Sequence, residues 1–137
     1  MREISELWIV NEAGLCLFHD SPELNLDPLL FSGVITAINQ ISLSKTTHRI
    51  SDIKMGNHWL IFTQNPVTAL LFIARSLDIN NKKWIMIRLQ QIHDRFFKRF
   101  SLKSITDWNG DLSIFKPFKE DLEEFFLDKL TKTKDMW

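Results

Sequence analysis

The sequence predicts an α+β domain with a five-stranded antiparallel sheet and the element order β-β-α-β-β-β-α-α. The first observation is a change of apolar period, from the two-residue alternation of strands to the three- and four-residue spacing of helices. The second is the position of the turn signals, which separate five strand-like runs by short polar segments. At 137 residues the chain has the length of one domain, which we place at residues 1–130, with a frayed tail at 131–137.

The first two strands are predicted at residues 4–10 and 15–19 of ELWIVNEAGLCLFHD, with a tight turn at Asn11–Gly14. Both faces of the first strand are apolar, with Leu7 and Ile9 on one face and Trp8 and Val10 on the other. A strand that is apolar on both faces is covered on both faces or lies in the centre of its sheet.

The next segment predicts a helix over residues 28–42, which includes LLFSGVITAINQIS. Asp27 can serve as its N-cap and Pro28 as its first residue. An apolar line from Leu30 to Ile41 suits burial against the sheet. Gly33 costs about 1 kcal/mol relative to alanine inside a helix, so we expect another element to approach closely there.

Three further strands are predicted at residues 47–54, 58–64 and 67–76. Met55-Gly56-Asn57 joins the first two, because glycine permits the positive φ of a tight hairpin turn. Asn65-Pro66 marks the second connection. We expect the third strand of the chain to lie on the far side of the first, and the predicted helix to cover one sheet face.

Helical spacing returns in WIMIRLQQIHDRFFKRF, where apolar residues recur at intervals of three and four. This apolar stripe consists of Ile85, Leu89, Ile92, Phe96 and Phe100. The opposite side predicts a solvated face, formed by Arg88, Gln91, Arg95 and Lys98. A loop around DWNGD precedes a last helix that opens at Pro117, and we expect Trp108 and Phe115 to pack back onto the domain. The core around the sheet is predicted to include Trp8, Leu17, Leu60, Phe62, Leu71, Ile73, Leu89 and Phe125.

The residue types that carry catalysis or bind metals form no productive pattern. The four histidines lie in different elements, and the single cysteine, Cys16, excludes every zinc pattern that needs two. Cys16 and His19 are expected on opposite faces of a strand, which argues against a nucleophile–base pair. The four glycines are isolated and form no phosphate-binding loop. We therefore expect no catalytic residue, no cofactor and no metal, and the chain is not predicted to be an enzyme.

Composition argues against two classes of partner. Seventeen basic residues balance 17 acidic ones, so no field of one sign attracts nucleic acid or an anionic bilayer. No apolar run approaches the roughly 20 residues of a membrane-spanning helix, and MREISELWIV lacks the form of a signal peptide. We expect a cytoplasmic protein with no nucleic-acid binding and no membrane insertion.

The predicted helix at 28–42 carries more apolar surface than burial against the sheet requires. Phe31 and Ile35 lie beside its buried line, Ile38 extends the apolar arc, and Ser42 belongs to the polar rim. Two interpretations remain open: the loop HDSPELNL folds over this surface, or the surface contacts another protein. In the second case the interaction residues are Phe31, Ile35, Ile38 and Ser42.

The chain resembles longin-like domain proteins, most nearly the small stand-alone archaeal type. The likeness lies in the order of the elements and in three segments, LWIVNEAGLCLFHD, LFSGVITAIN and WNGDLSIFKPFKEDLEEFF. The likeness covers residues 4–127 and implies a longin/profilin-like fold. It also implies a non-enzymatic platform, because longin and roadblock domains form homo- or heterodimers and bind small Ras-like GTPases in trafficking and signalling complexes. The implied partners are a second copy, another longin or roadblock protein, or a small Ras-like GTPase. The resemblance transfers no GTPase-contact motif to particular residues.

The alternative hypothesis is a small-molecule sensor of profilin-, PAS- or GAF-like architecture, since such domains have a similar sheet. A sensor needs a cavity with convergent polar groups. A filled core therefore favours the scaffold, and a large enclosed cavity lined by polar groups favours the sensor.

Overall fold

The computed structural model of the chain describes residues 3–21, 52–77 and 80–135. Its elements are β1 (Glu6–Val10), β2 (Cys16–Asp20), β3 (Asp52–Met55), β4 (His58–Gln64), β5 (Leu71–Leu77), α1 (Lys82–Arg99), α2 (Leu102–Thr106), a 3₁₀ helix (Leu112–Phe115) and α3 (Phe118–Asp135). The prediction of a mixed α+β fold with an antiparallel sheet is confirmed. The helix predicted over residues 28–42 lies outside the described residues, as does most of the segment 47–54 that precedes β4.

The sheet has the strand order β2-β1-β5-β4-β3, with every neighbouring pair antiparallel. β1 lies inside the sheet, where Trp8 faces His19 of β2 on one side and Ile73 of β5 on the other. The side chains on both of its faces are buried, which agrees with its apolar pattern. β3 lies at the edge opposite β2, on the far side of β1, with β5 and β4 between them.

Side chains are buried on both faces of this sheet. On the first face, the strands pack with α1, α3 and the 3₁₀ helix around a group of phenylalanines. Phe96 at its centre meets Phe72 and Phe118 edge to face, with ring centroids 5.4 Å and 5.3 Å apart. Within the described residues, the buried cluster on the second face consists of strand side chains: Trp8, Val10, Leu60, Phe62, Leu71 and Ile73. The predicted core is confirmed, because every predicted member exposes 6 % or less of its surface.

A β-bulge in β2 corrects one prediction. Ile9 pairs with Phe18 but Val10 pairs with Cys16, so Leu17 is an extra residue in β2. Leu17 and Phe18 consequently both face the first cluster, and the alternation of β2 is reversed beyond them. Cys16 and His19 therefore lie on the same face, against the second cluster, and the expectation of opposite faces is wrong.

Helix α1 begins at the N-cap Asn81, whose side chain accepts a hydrogen bond from the N–H of Trp84 at 3.1 Å. Its predicted apolar stripe is buried from Ile85 to Phe96. The predicted solvated face is wrong at Arg88, which is 5 % exposed. The Arg88 Nε donates to the carboxylate of Glu3 at 2.9 Å, and its guanidinium lies 3.8 Å from the centroid of Phe125. Its Nη2 is buried and has no hydrogen-bond acceptor in the described structure.

β5 begins at Leu71, four residues later than predicted, because Asn65 closes a turn before it. The Asn65 Oδ1 accepts hydrogen bonds from the backbone N–H of Val67 at 3.0 Å and of Thr68 at 2.8 Å. Ala69, at φ +60°, is a non-glycine residue in the left-handed region. Two backbone hydrogen bonds between Asn65 and residues 69 and 70 hold it there, so the local side-chain bonds override the strand propensity of the segment.

The C-terminal segment contains more helix than predicted. In place of one loop around DWNGD, the chain forms α2, a turn and the 3₁₀ helix before α3. The packing of Trp108 and Phe115 is confirmed: their rings lie 5.5 Å apart, and Phe115 is fully buried against Phe96 and Phe100. The backbone of α3 runs to Asp135, into the segment predicted as a frayed tail. No helix within the described residues is both long and apolar enough to cross a bilayer.

Candidate interaction surfaces

The edge strand β3 is the most regular surface that the described sheet offers to a second strand. β3 pairs with β4 from Asp52↔Ile61 to Met55↔His58 across a two-residue turn, and Gly56 has the positive φ of +60° that a type II′ turn requires. The residues that flank such a turn form a hydrogen-bonded pair, and hydrogen-bonded pairs alternate along an antiparallel ladder. The backbone N–H and C=O groups of Asp52 and Lys54 therefore point away from β4, toward the open side of the edge.

Side chains from α1 hold this edge in position. The Lys82 Nζ lies 3.4 Å from the Asp52 carboxylate and 5.0 Å from the ring centroid of Trp59. The Lys54 Nζ lies over the same indole, 5.7 Å from its centroid. Two cations on one indole ring, together with the Lys82–Asp52 pair, fix the N-terminal end of α1 beside the β3–β4 hairpin.

The opposite edge, β2, is less suited to strand pairing. Its bulge at Leu17 breaks the regular ladder that a partner strand needs. Its first face is also covered, because Phe18 packs edge to face on Phe118 of α3 with centroids 5.3 Å apart. The two edges therefore differ in regularity, and β3 is the better template.

A row of polar side chains crosses four strands on the second face of the sheet. Glu6, which is fully buried, accepts hydrogen bonds from Arg75 at 2.8 Å and pairs with the His19 Nε2 at 3.0 Å. Arg75 continues the row to the His58 Nδ1 at 3.1 Å, and the His19 ring stacks on Trp8. Each buried charge has an opposite partner, so the row aligns β2, β1, β5 and β4 and leaves no charged group free for chemistry.

A second histidine chain links α1 to the turn before β5. Because the Asn65 Oδ1 accepts from backbone N–H groups, its Nδ2 is the donor toward the His93 Nε2 at 3.2 Å. His93 Nε2 must then be the acceptor, with its Nδ1–H directed to Asp94 at 3.0 Å. This Asp–His–Asn chain has the order of a catalytic relay, but it ends on a side chain that is not a nucleophile, so its effect is to hold the turn on α1.

The cysteine is unsuited to nucleophilic attack at neutral pH. Burial raises the pKa of the Cys16 thiol above its ordinary value, against smaller opposite effects of hydrogen bonds with the backbone of Phe18 and Ile9. Its Sγ donates to the Phe18 carbonyl oxygen at 3.3 Å. In the described part of the chain, no three histidine, cysteine, aspartate or glutamate side chains are grouped so as to hold a metal ion.

One cavity of about 250 Å³ lies at the end of the sheet where the β1–β2 hairpin meets the C-terminal segment. Its apolar walls include Leu17, Leu70, Trp108 and Phe115, and its polar lining residues are Asn11, Glu12 and Thr68. The Thr68 hydroxyl already donates to Asn65, and the cavity is open to solvent. The Asn11 Oδ1 accepts hydrogen bonds from the backbone N–H groups of Ala13 and Leu15, so this open cavity does not favour the sensor alternative.

No family model matches the chain, and no curated protein matches it. Among solved structures, MglB of Myxococcus xanthus is similar, with a TM-score of 0.54 over 69 % of this chain and 81 % of that chain, at 13 % sequence identity. The chain has a longin-like fold. An identity this low shows the fold alone and assigns no residue a role.

The interaction role predicted from the sequence for four residues remains a prediction. Phe31, Ile35, Ile38 and Ser42 lie outside the described residues, between β2 and β3. The polar row and Arg88 were missed by the sequence analysis. Glu6 and Arg75 each stand beside apolar strand residues, and that pattern is the signal that could have indicated a buried ion pair.

Proposed function

We propose that the chain is a protein-interaction scaffold that forms a homodimer and docks a small Ras-like GTPase, with no chemistry of its own. The observation that carries the proposal is the sheet order β2-β1-β5-β4-β3 of a longin-like fold, in which β3 is a regular edge strand of the described sheet. The similarity to MglB supports the fold, and the resemblance to longin and roadblock domains supplies the class of partner.

The proposed dimer joins two β3 edges by backbone hydrogen bonds around a two-fold axis. The outward groups of Asp52 and Lys54 supply the first contacts. The predicted helix at 28–42 precedes β3 in the chain and contributes Phe31 and Ile35 as apolar anchors, with Ile38 beside them and Ser42 at the rim. Burying the two anchors contributes roughly 1.5–3 kcal/mol each, which biases association but needs the edge in addition.

The dimer is tested by sedimentation of a variant that blocks the edge without disturbing the fold. Proline is tolerated in an edge strand where its missing N–H faces solvent, so Lys54→Pro retains the pairing with β4. Lys54→Ala is the matched control, because it removes the same side chain and keeps the N–H. We expect Lys54→Pro and the double variant Phe31→Glu, Ile35→Glu to be monomeric, and Lys54→Ala to be dimeric like wild type. A wild type that stays monomeric at high concentration contradicts this proposal.

GTPase docking is tested separately, with purified small Ras-like GTPases loaded with GDP or with a non-hydrolysable GTP analogue. We expect one of them to bind by calorimetry with an affinity that depends on its nucleotide. If no member of a broad panel binds the dimeric wild type in either state, the scaffold serves another class of partner.

A further inference from the structure

The outward side of the first half of α1 carries large apolar side chains where a solvated helix carries polar ones. Trp84, Met86 and Ile87 expose 39 %, 37 % and 50 % of their surfaces. Lys83 and Gln90, both exposed, lie beside them. We call these five residues the α1 patch.

The patch is not apolar surface that the helix could bury by rotating. The opposite side of α1 is fixed in the core, where Ile85, Leu89 and Ile92 are at most 1 % exposed. Trp84 is anchored from below by Arg88, whose guanidinium lies 5.6 Å from the indole centroid, and Arg88 is itself held by Glu3. The apolar groups are therefore presented on a rigid support, which lowers the entropic cost of binding.

The charges of this segment are also unfavourable for the isolated helix. The first turn of α1 has no acidic residue and begins with Lys82 and Lys83, although a helix N-terminus favours negative charge. No acid occurs from residue 82 to residue 93. Asp52 compensates Lys82, but within the described residues no carboxylate pairs with Lys83. A residue that breaks a local rule, with no compensating partner among the described residues, indicates a functional constraint.

We propose that the α1 patch docks an acidic, amphipathic segment of a partner protein, with apolar side chains on Trp84 and Ile87 and carboxylates beside Lys83. Tryptophan and methionine are enriched in protein interfaces, and a tryptophan fixed from below is a typical dominant contact. The positive first turn selects for negative charge in the partner. None of the five patch residues belongs to β3 or to the predicted helix at 28–42, so the inference goes beyond the proposed function.

A protein segment fits this patch better than an anionic bilayer. Attraction to acidic lipid is worth about 1 kcal/mol per exposed cation, and Lys83 is the patch's one lysine. Lys82, its neighbour, is already paired with Asp52, and the chain as a whole carries no net charge. Apolar contact must therefore supply most of the affinity, which requires a surface shaped to the indole.

The test begins with a phage-displayed library of short random peptides, selected on the full-length protein and counter-selected on Ile87→Glu. We expect enriched peptides to carry apolar residues at helical spacing with aspartate or glutamate beside them. Enrichment without an acidic bias, or no enrichment above background, overturns the inference. A control selection on Leu127→Glu, which also places a carboxylate at an exposed apolar helix position, should recover the same peptides as wild type.

Calorimetry of the best peptide then separates the two components of the patch. Ile87→Glu should weaken binding at least about tenfold, because it removes an apolar anchor and adds a like charge. Lys83→Glu should weaken it about threefold while raising the melting temperature, since it places an acid at the helix N-terminus. Lys119→Glu makes the same charge change at the second residue of α3, and it should leave the affinity unchanged. A Lys83→Glu variant that binds as wild type, or a Lys119→Glu variant that loses binding, contradicts a specific acidic contact.

The same variants test two alternative ligands of the α1 patch, a second copy of the chain and a lipid bilayer. If Ile87→Glu changes the sedimentation of the protein alone, the patch binds a second copy and the inference is wrong. If vesicles of phosphatidylserine and phosphatidylcholine bind wild type but not Ile87→Glu, the patch binds a bilayer and the inference is also wrong. Retention of peptide binding by Lys54→Pro is expected, and it distinguishes this inference from the proposed dimer.

Discussion

Replacing Arg88 by methionine should destabilise the protein strongly, because it removes the guanidinium that pairs with the buried Glu3 carboxylate. Arg88 and Glu3 are both buried, and their side chains meet at 2.9 Å. Removing one partner of a buried ion pair typically costs about 3–5 kcal/mol. Methionine preserves the contact with the Phe125 ring, so most of the loss arises from the buried Glu3 carboxylate, which no longer has the Arg88 guanidinium beside it.

Glu3 lies outside the strands, in the segment that precedes β1, and this position limits the cost. That segment can detach from the sheet and return the carboxylate to water, at the expense of the hydrogen bonds that hold it. The Glu3 carbonyl oxygen accepts from the Ser76 hydroxyl at 2.7 Å and from the Asn80 amide at 3.3 Å. Each such bond contributes about 1 kcal/mol, and detachment also exposes Ile4. We therefore expect a loss of about 3 kcal/mol, out of the roughly 5–15 kcal/mol typical of a domain.

Urea unfolding followed by circular dichroism measures this loss. The double variant Glu3→Met, Arg88→Met serves as the control, because an apolar pair of similar volume is often as stable as a buried ion pair. It should recover most of the stability lost by Arg88→Met alone. The single variant Glu3→Met completes the cycle. A loss below about 1 kcal/mol for Arg88→Met, or a double-variant loss equal to the sum of the losses of Arg88→Met and Glu3→Met, would refute the reasoning.

Three further predictions follow from local geometry. Ala69→Gly should stabilise the protein by about 0.5–1 kcal/mol in urea unfolding, since glycine adopts the positive φ without strain. The control Ala74→Gly, in β5, should destabilise it. Equal effects of the two changes would exclude backbone strain as the cause. Cys16, the sole cysteine, should react with iodoacetamide more slowly in the folded protein than in urea at pH 8, because its pKa is raised, and equal rates by mass spectrometry would contradict this. Hydrogen bonds from the Ser113 hydroxyl, and to a smaller extent from the Ser113 N–H, lower the pKa of Asp111. The ionised carboxylate therefore stabilises the fold fully when the pH is above the ordinary pKa of 3.8, and this stabilisation is lost as the pH falls through the lowered pKa. Asp111→Asn should therefore reduce the loss of unfolding free energy at acidic pH. An unchanged pH dependence of the unfolding free energy would show that Asp111 does not contribute to it.

The sequence predicted best those elements whose conformation depends on their own residues. The alternation of Leu7 and Ile9 with Trp8 and Val10 predicted a strand buried on both faces, and β1 has this environment inside the sheet. Gly56 predicted the β3–β4 hairpin because only a local backbone conformation was at stake. The stripe of α1 was predicted because helical periodicity repeats over several turns. In each case the residues that determine the conformation lie close together in the sequence, so the local sequence pattern predicts it.

The candidate site was predicted only in part. The sequence indicated an interaction role and proposed Phe31, Ile35, Ile38 and Ser42, which remain a prediction. It counted Arg88 as solvated and gave no weight to Trp84 and Ile87 as exposed side chains. Periodicity assigns residues to a side of a helix, but it does not show which neighbouring elements cover that side.

The sequence by itself determined the fold class, the strand-forming runs and the composition of the core, because these depend on the spacing of apolar residues along one segment. Tertiary structure alone decided the order of the strands, the bulge at Leu17, the burial of Arg88 and the exposure of Ile87. The reason is physical: Arg88 is buried because Glu3, distant in sequence, and Phe125 of another helix meet it in space. Ile87 is exposed because the same packing fixes the rotation of α1 and directs that side chain to solvent.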